Sequence, residues 1–231
     1  MNLEQNKKTI FEQVHKACIA ANRLEESVKV VAVTKHVDVS TASALLDTGV
    51  KHLAENRVDK FLEKYDALKD RDVTWHLIGS LQRRKVKDVI NRVDYFHALD
   101  SLNLAQEIQK RADHPINCFL QVNISGEESK HGFSPDEVNL VLSQIAELDK
   151  IRLVGLMTMA PLDADSEIIH GIFEQAKQLR QELQQQDRKN MPFTELSMGM
   201  SNDYEIAIQH GATFVRIGTS FFKVMEKKDG I

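Results

Sequence analysis

The stretch VKVVAVTK, residues 28–35, decides the fold of this chain. Four of its residues are Val, and this composition is typical of a strand that is buried on both faces, as in a parallel sheet covered by helices. The run ends on Thr34, Lys35 and His36. Because an amine is costly to bury, we expect Lys35 to lie where the strand emerges into a pocket. The alternative is that Lys35 is simply the first solvated residue of a loop.

Outward from this stretch, apolar runs of strand length alternate with segments of helical periodicity. The predicted strands are 28–35, 50–54, 73–78, 93–99, 116–124, 151–159, 193–197 and 212–217. Helices are predicted over 3–24, 40–48, 58–68, 81–90, 102–111, 134–148, 166–185 and 202–209, with a further helical piece after Gly218-Thr219. The pattern predicts an α/β fold: a single-domain TIM-like (β/α)8 barrel over 1–231 with an extra N-terminal helix. An open doubly wound sheet is the alternative, but no Gly-rich dinucleotide turn follows the first strand.

Composition excludes several classes of function. The chain has 231 residues, of which 42% are hydrophobic and 28% are charged, and its net charge is −4. This charge provides no basic field for nucleic acid or for an anionic membrane. No apolar stretch has the length of a spanning helix, and the first residues do not have the apolar core of a signal peptide, so we expect a cytoplasmic protein.

Neither the cysteines nor the histidines form a recognisable motif. Cys18 and Cys118 share no spacing pattern and are predicted to be small core residues rather than a disulfide. The nine histidines show no HExxH or paired spacing, so we predict no metal site.

Residues that could bind a ligand or take part in chemistry lie where the predicted strands end, and parallel barrels carry their functional sites at these strand ends. They are Lys35, Asn56, His76, Gly79, Asp100, Asn123, Met157, Ser197, Met200, Ser201, Arg216, Gly218 and Thr219. Ser201 precedes a predicted helix and Gly218 allows close backbone approach, so the last two loops predict a phosphate site. A plain helix cap and a plain turn are the alternatives at these two positions. A phosphate cradle opposite a strand-end lysine suggests pyridoxal 5′-phosphate (PLP).

Motifs spread along the chain point to a family. They are VVAVTK, Ala-Glu-Asn at 54–56, WHLIGSLQ at 75–82, QVNI and ESKHG around 121–132, GLMTM at 155–159, LSMGMSNDYEIAI at 196–208 and VRIGTSFF at 215–222. On these motifs the sequence resembles the pyridoxal phosphate homeostasis protein family, single-domain barrels similar to the N-terminal domain of alanine racemase. The resemblance implies PLP as cofactor, held as an internal aldimine on Lys35.

The resemblance also implies the surroundings of the cofactor. Ser201, Gly218 and Thr219 would hold the phosphate, and Arg216 would face the pyridine nitrogen. The ring pocket would be lined by Asn56, His76, Ser197 and Met200. All of these are cofactor-binding positions, and no catalytic residue is assigned.

Arg216 determines the expected behaviour of the cofactor. An arginine only donates hydrogen bonds, so the ring nitrogen that it meets is unprotonated and the ring is a weak electron sink. We therefore predict a protein of PLP homeostasis, which stores, buffers or delivers the cofactor to apo-enzymes without robust turnover. The alternative is a small racemase-like PLP enzyme acting on amino acids. A phosphate-sugar barrel without PLP would need catalytic carboxylates at strand ends, where only Glu55 and Asp100 qualify.

Three further predictions complete the sequence analysis. Lys130 could be a transient second amine for passing PLP on, with a solvated loop lysine as the alternative. The run Arg83-Arg84-Lys85 is expected to be a solvated helix face. A monomer is expected, and a dimer is left open.

Overall fold

Eight parallel strands close into one barrel in the computed structural model, which describes residues 1–127 and 131–224. The strands are β1 (Lys29–Val33), β2 (His52–Glu55), β3 (Thr74–Leu77), β4 (Tyr95–Leu99), β5 (Ile116–Gln121), β6 (Ile151–Met157), β7 (Glu195–Ser197) and β8 (Phe214–Ile217). Each strand pairs with the next along the chain, and β8 returns to β1 in a register from Lys29↔Phe214 to Ala32↔Ile217. The predicted (β/α)8 barrel is confirmed.

Helices cover the outside of the barrel. They are α1 (Leu3–Ala20), α2 (Val39–Asp47), α3 (Val58–Leu68), α4 (Val86–Val89), α5 (Leu102–Arg111), α6 (Val138–Ile145), α7 (Ser166–Gln185) and α8 (Tyr204–Gln209). The extra N-terminal helix is α1, and its buried Asn6 amide donates to the carbonyls of Phe221 and Lys223 near the end of the described chain. None of the described helices is long and apolar enough to cross a membrane.

The apolar run of β1 forms a strand because both of its faces are covered. Val31 and Ala32 are completely buried, one side chain facing the barrel interior and the next facing the helices, as the alternation of a strand requires. Cys18 and Cys118 are buried and free, as predicted for core residues.

Several elements are shorter than the sequence predicts, and three of these differences have a clear structural reason or limit. The predicted helix 81–90 contains one α-turn, α4, between the 3-10 turns Arg83–Lys85 and Ile90–Arg92, and residues 82–85 between the buried Leu81 and Val86 contribute no buried side chain. Strand β7 begins at Glu195 instead of residue 193, since Phe193 has a left-handed φ of 44° that a strand cannot continue. The helical piece predicted after Gly218-Thr219 is not found in the described residues, where 219–222 form turns and 223–224 have no regular structure; the rest of that piece lies outside the described residues.

Candidate functional site

A cavity of about 430 Å³ opens at the carboxyl ends of the strands, within the usual size range of small-molecule sites. Its lining comes from the loops after β1, β2, β3, β6, β7 and β8. Seven of the nine predicted site residues lie in this lining: Lys35, Asn56, Met200, Ser201, Arg216, Gly218 and Thr219. Barrel closure therefore brings together residues from both ends of the sequence.

Lys35 lies at the mouth of the cavity. Strand β1 ends at Val33, Thr34 is completely buried, and Lys35 is exposed while contributing to the cavity lining. The two alternatives drawn from the sequence are therefore compatible, since the lysine is both a solvated loop residue and part of the pocket. The expected partial burial of its amine is not observed.

A buried ion pair anchors the peptide that precedes Lys35. The Lys64 ammonium donates to Glu55 Oε1 at 2.7 Å and to the Thr34 carbonyl at 3.2 Å. Thr34 Oγ1 donates to the same carboxylate oxygen at 2.6 Å. The side chains of Glu55 and Lys64 are each 1% exposed. This cluster was not predicted, although Lys64 occupies a position of the buried stripe of α3 that otherwise holds Phe61 and Leu68.

Asn56 is held against the cavity by the neighbouring loop. A Cβ atom on Gly79 would lie 2.0 Å from the Asn56 carbonyl oxygen, so the loops after β2 and β3 can pack this closely only with glycine at position 79. The motif WHLIGSLQ thus contributes the close approach that fixes Asn56.

The loops after β7 and β8 meet through one hydrogen bond, in which the Gly218 N–H donates to Ser201 Oγ at 3.2 Å. Gly199, in the first loop, has φ of +90°, and a Cβ there would lie 2.5 Å from the Ala207 Cβ, which requires glycine. The predicted helix start at residue 202 is two residues too early, because α8 begins at Tyr204. Ser201 is therefore a bridging residue between loops rather than the cap of α8.

Asp203 is a cavity residue that the sequence analysis did not single out. Its carboxylate accepts a hydrogen bond from the Met200 N–H and so shapes the loop after β7. Burial raises the pKa of Asp203, whereas the Met200 N–H and the positive charge of Arg216 oppose that rise. The Asn-Asp pair at 202–203, directly after the Gly199 turn, is a loop signal that could have indicated it.

Arg216 forms the inner wall of the cavity and is only 4% exposed. Its guanidinium donates to Ser197 Oγ at 2.6 Å and to the Thr158 carbonyl at 3.1 Å. Burial lowers the pKa of Arg216 to about 10, and Asp203 opposes this change. The guanidinium therefore stays protonated at neutral pH and offers its remaining N–H groups to the cavity.

His76 and Ser197 are placed differently from the prediction. Both are completely buried in the barrel interior, and neither is part of the described cavity lining. Ser197 accepts the hydrogen bond of Arg216, and His76 reaches Ser197 through His97. Alternate residues of these strands point into the barrel, so both side chains lie beneath Arg216 instead of around the ligand space.

Several other side chains that could carry chemistry are not part of the described lining of the cavity. Tyr65, Tyr95 and Tyr204 lie in α3, β4 and α8, and none belongs to the described lining. Arg83 and Arg84 are exposed on a 3-10 turn rather than on a helix face. The described residues contain no cluster of potential metal ligands. Lys130 lies outside the described residues.

Comparison with known proteins places this geometry in a family. The family described as "Alanine racemase, N-terminal domain" matches residues 14–226. A pyridoxal phosphate homeostasis protein of Aquifex aeolicus (strain VF5) is 40% identical over 225 residues, which are 96% of this chain and 98% of that protein. The chain belongs to the pyridoxal phosphate homeostasis protein family.

Solved structures agree with this membership. PipY of Synechococcus elongatus PCC7942, solved with PLP bound, is 31% identical, with a TM-score of 0.84 over 96% of this chain and 100% of PipY. An alanine racemase from Clostridium difficile 630 is 20% identical, with a TM-score of 0.74 over 99% of this chain and 57% of the racemase. The homeostasis family thus shares with the racemase the barrel fold, and this chain matches little more than half of the racemase.

Proposed function

We propose that this protein binds PLP in the cavity and stores, buffers or delivers it in the cytoplasm. The observation that carries the proposal is the single cavity that unites the Lys35 amine, the buried Arg216 guanidinium and the bridged Ser201–Gly218 loops. The homeostasis relatives and the PLP-bound PipY structure support it.

The donors in the cavity fit the chemistry of this cofactor. PLP supplies an electrophilic aldehyde, an electron-withdrawing ring and a phosphate dianion. Lys35 would attach it covalently: the amine nitrogen bonds to the aldehyde carbon, and the aldehyde oxygen leaves as water. Ser201, Gly218 and Thr219 would hold the phosphate with hydroxyl and backbone N–H groups. Arg216 would donate to the pyridine nitrogen.

Asn56 and Met200 would contact the ring from the cavity walls. His76 and Ser197 would act on it only through Arg216, because they lie beneath the cavity.

Holding the cofactor, rather than turnover, is the activity that this donor set favours. A protonated Arg216 keeps the ring nitrogen unprotonated, which weakens the ring as an electron sink. The titratable side chains in the described lining are Lys35, Asp203 and Arg216. If Lys35 is bonded to the cofactor and Arg216 stays protonated, Asp203 remains as the group able to exchange a proton in this lining.

Titration of the purified protein with PLP tests the proposal. We expect an absorbance band of a protonated Schiff base that is lost on borohydride reduction, because hydride converts the C=N bond into a secondary amine. The reduced adduct should survive dialysis and carry its added mass on the peptide that contains Lys35. Lys35→Met abolishes the band, whereas Lys16→Met, at an exposed lysine of α1, leaves it unchanged. Labelling of several lysines in proportion to their exposure would contradict a built PLP site.

Two assays separate homeostasis from catalysis. The loaded protein is expected to transfer PLP to an apo-enzyme and to racemise no member of an amino-acid panel at a steady rate. Rapid racemisation would establish the racemase-like alternative instead. Equal transfer rates for the parent chain and Lys130→Ala would remove the proposed role of Lys130 as a second amine.

A further inference from the structure

A chain of hydrogen bonds runs from Arg216 through the barrel interior to its opposite end. Arg216 donates to Ser197 Oγ, which lies 2.8 Å from His97 Nδ1. His97 Nε2 lies 2.8 Å from His76 Nδ1, and His76 Nε2 lies 3.0 Å from His52 Nδ1. We call Ser197, His97, His76 and His52 the histidine chain. It joins β7, β4, β3 and β2, and His52 is the first residue of its strand, at the end of the barrel away from the cavity.

Aromatic rings insulate the histidine chain. His97 stacks on Phe119 at 4.4 Å between ring centroids, and His76 stacks on Tyr95 at 5.0 Å. Phe214 presents a T-shaped contact to both histidines at 5.9 Å. His76 and His97 are completely buried, so their hydrogen bonds lie in a low-dielectric environment. A donor or acceptor left without a partner there would cost considerable free energy.

The requirement that each proton has an acceptor sets the direction of the chain. Arg216 can only donate, so Ser197 Oγ accepts from it and is left with one hydroxyl proton to donate. Among the described residues, His97 Nδ1 is the acceptor within reach of that proton. His97 is then protonated on Nε2 and donates to His76, which is protonated on Nε2 in turn and donates to His52. In the reverse direction, the buried Ser197 proton would have no acceptor among the described residues.

The resulting chain is neutral and polarised. Burial holds the pKa values of His76 and His97 well below their ordinary value, so both rings are uncharged at neutral pH. Burial lowers the pKa of His52, and the positive charges of Lys29 and Lys51 lower it further. All of the donated protons point away from Arg216, so each side chain of the histidine chain turns its acceptor atom towards the guanidinium and its proton away from it, an orientation that stabilises the positive charge.

The histidine chain stabilises Arg216 without forming an ion pair with it. Within the described residues, the hydrogen-bond acceptors of the Arg216 guanidinium are both neutral, and Asp203 acts on Arg216 only through its charge. Two neutral acceptors, Ser197 Oγ and the Thr158 carbonyl, fix the plane of the guanidinium. A carboxylate in their place would have formed a pair with little net charge for a ligand.

We propose that His97, supported by His76 and His52, is a positioning residue for Arg216, which it holds as an uncancelled positive donor facing the cavity. His97 acts by fixing the Ser197 hydroxyl as an acceptor of Arg216. The consequence for a bound ligand rests on the proposed function, whereas the direction of the chain does not.

Nitrogen-15 NMR of histidine tautomers tests the chain without any ligand. Two-bond ¹H–¹⁵N spectra of the full chain should assign the neutral Nε2–H tautomer to His76 and His97 at pH 7, with the signals identified by their loss in the single variants. Nδ1–H tautomers or charged rings at either position would overturn the proposal, whatever the protein binds.

Variants test the effect on the cavity. His97→Phe removes the acceptor of the Ser197 proton, and we expect PLP to bind about tenfold more weakly with a shifted absorbance maximum, the size of losing a hydrogen bond to a charged group. His97→Asn keeps an acceptor oxygen near the Nδ1 position and should bind within about threefold of the parent chain. His170→Phe, which breaks the similar 2.8 Å contact with His210 outside the barrel, is the matched control and should change neither quantity.

A double-variant cycle distinguishes positioning from general damage. Ser197→Ala should weaken PLP binding as much as His97→Phe, and the double variant should be no weaker than either single one, because both act through the same link to Arg216. Additive losses, or no rescue by His97→Asn, would overturn the proposal. If the parent protein binds no PLP, the proposed function fails. The tautomer spectra still decide whether the histidine chain is ordered in the proposed direction.

Discussion

Two buried cations of this barrel have opposite kinds of partner. Lys64, on the helix side of β2, is paired with the Glu55 carboxylate at 2.7 Å. Arg216, on the cavity side of β8, has only the neutral Ser197 hydroxyl and Thr158 carbonyl as hydrogen-bond partners within the described residues. Both are almost fully buried, so the comparison isolates the effect of the partner's charge.

The difference separates an anchor from a recognition group. A buried ion pair presents little net charge to its surroundings, and the Lys64–Glu55 pair serves to hold the peptide before Lys35. A cation with neutral partners keeps its field, and Arg216 directs that field into the cavity. Breaking the Lys64–Glu55 pair should therefore lower the free energy of unfolding, whereas replacing Arg216 should mainly weaken ligand binding.

The largest expected effect is on the ion pair. Lys64→Met leaves the Glu55 carboxylate buried without a cation. Because Glu55 Oε2 already has no hydrogen-bond partner among the described residues, little remains to compensate the buried charge. The free energy of unfolding should fall by about 3 to 5 kcal/mol, measured by urea denaturation. Lys60→Met, in the exposed pair with Glu63, is the control and should cost less than about 1 kcal/mol.

The charge mechanism has its own check. Combining Lys64→Met with Glu55→Gln should recover more than half of the lost stability, since no uncompensated charge remains. A double variant as unstable as Lys64→Met alone would mean that packing, not charge, dominates at this site.

Acid should destabilise the protein through the histidine chain. His76 and His97 have folded pKa values well below 6.5 because burial disfavours their charged forms, so each takes up a proton on unfolding at lower pH. Stability is then lost as pH falls below about 6.5, by at most about 2 kcal/mol for each ring between pH 7 and pH 5, the limit for a ring that stays neutral in the folded protein. His97→Phe should halve this loss, as measured by urea denaturation at both pH values.

The rest of the protein also titrates, so the informative quantity is the difference between variants. Burial raises the pKa values of Asp100 and Asp203, which stabilises the protein towards acid and is common to the parent chain and His97→Phe. An unchanged slope in His97→Phe would show that His97 takes up protons in the folded protein as it does in the unfolded chain, which contradicts a buried neutral ring.

A smaller stability effect is expected at Arg216. Arg216→Met removes a donor from Ser197 and Thr158, at a cost of about 1 to 3 kcal/mol, but it also removes the cost of burying a cation. The net loss should be about 1 kcal/mol in urea denaturation, well below that of Lys64→Met, while PLP affinity falls by at least about tenfold. A stability loss equal to that of Lys64→Met would erase the contrast between the two cations.

Exposed cations on the same end of the barrel should matter least. Arg83 and Arg84 are exposed, and the Arg84 guanidinium donates to the nearby Gln82 side chain. Replacing both arginines by Ala should change the free energy of unfolding by no more than about 0.5 kcal/mol. PLP affinity should change by less than about twofold. A salt-dependent loss of PLP affinity in this variant would show that the exposed arginines also attract the ligand.

Local patterns were sufficient to predict the fold and most of the cavity. The run at 28–35 and the seven apolar runs after it predicted the barrel, because strand burial and helical periodicity are properties of neighbouring residues. Once the order of strands was known, their carboxyl ends had to share one face, so Lys35 and the loops of Ser201 and Gly218 could be placed together.

Features that depend on contacts across the barrel were not available from the sequence. His97 and Ser197 are 100 residues apart, and their hydrogen bond exists only because closure and register place β4 opposite β7. The same reason explains why His76 and Ser197 were expected around the ligand and are found beneath Arg216.

The sequence by itself determined which elements form, in what order they close, and which loops carry the amine and the proposed phosphate cradle. The tertiary structure alone decided how each buried charge is partnered, giving Lys64 a carboxylate and Arg216 a chain of neutral dipoles. The physical reason is that a strand forms through neighbours a few residues away, whereas the partner of a buried polar group is set by strand register and side-chain direction, to which distant parts of the chain contribute.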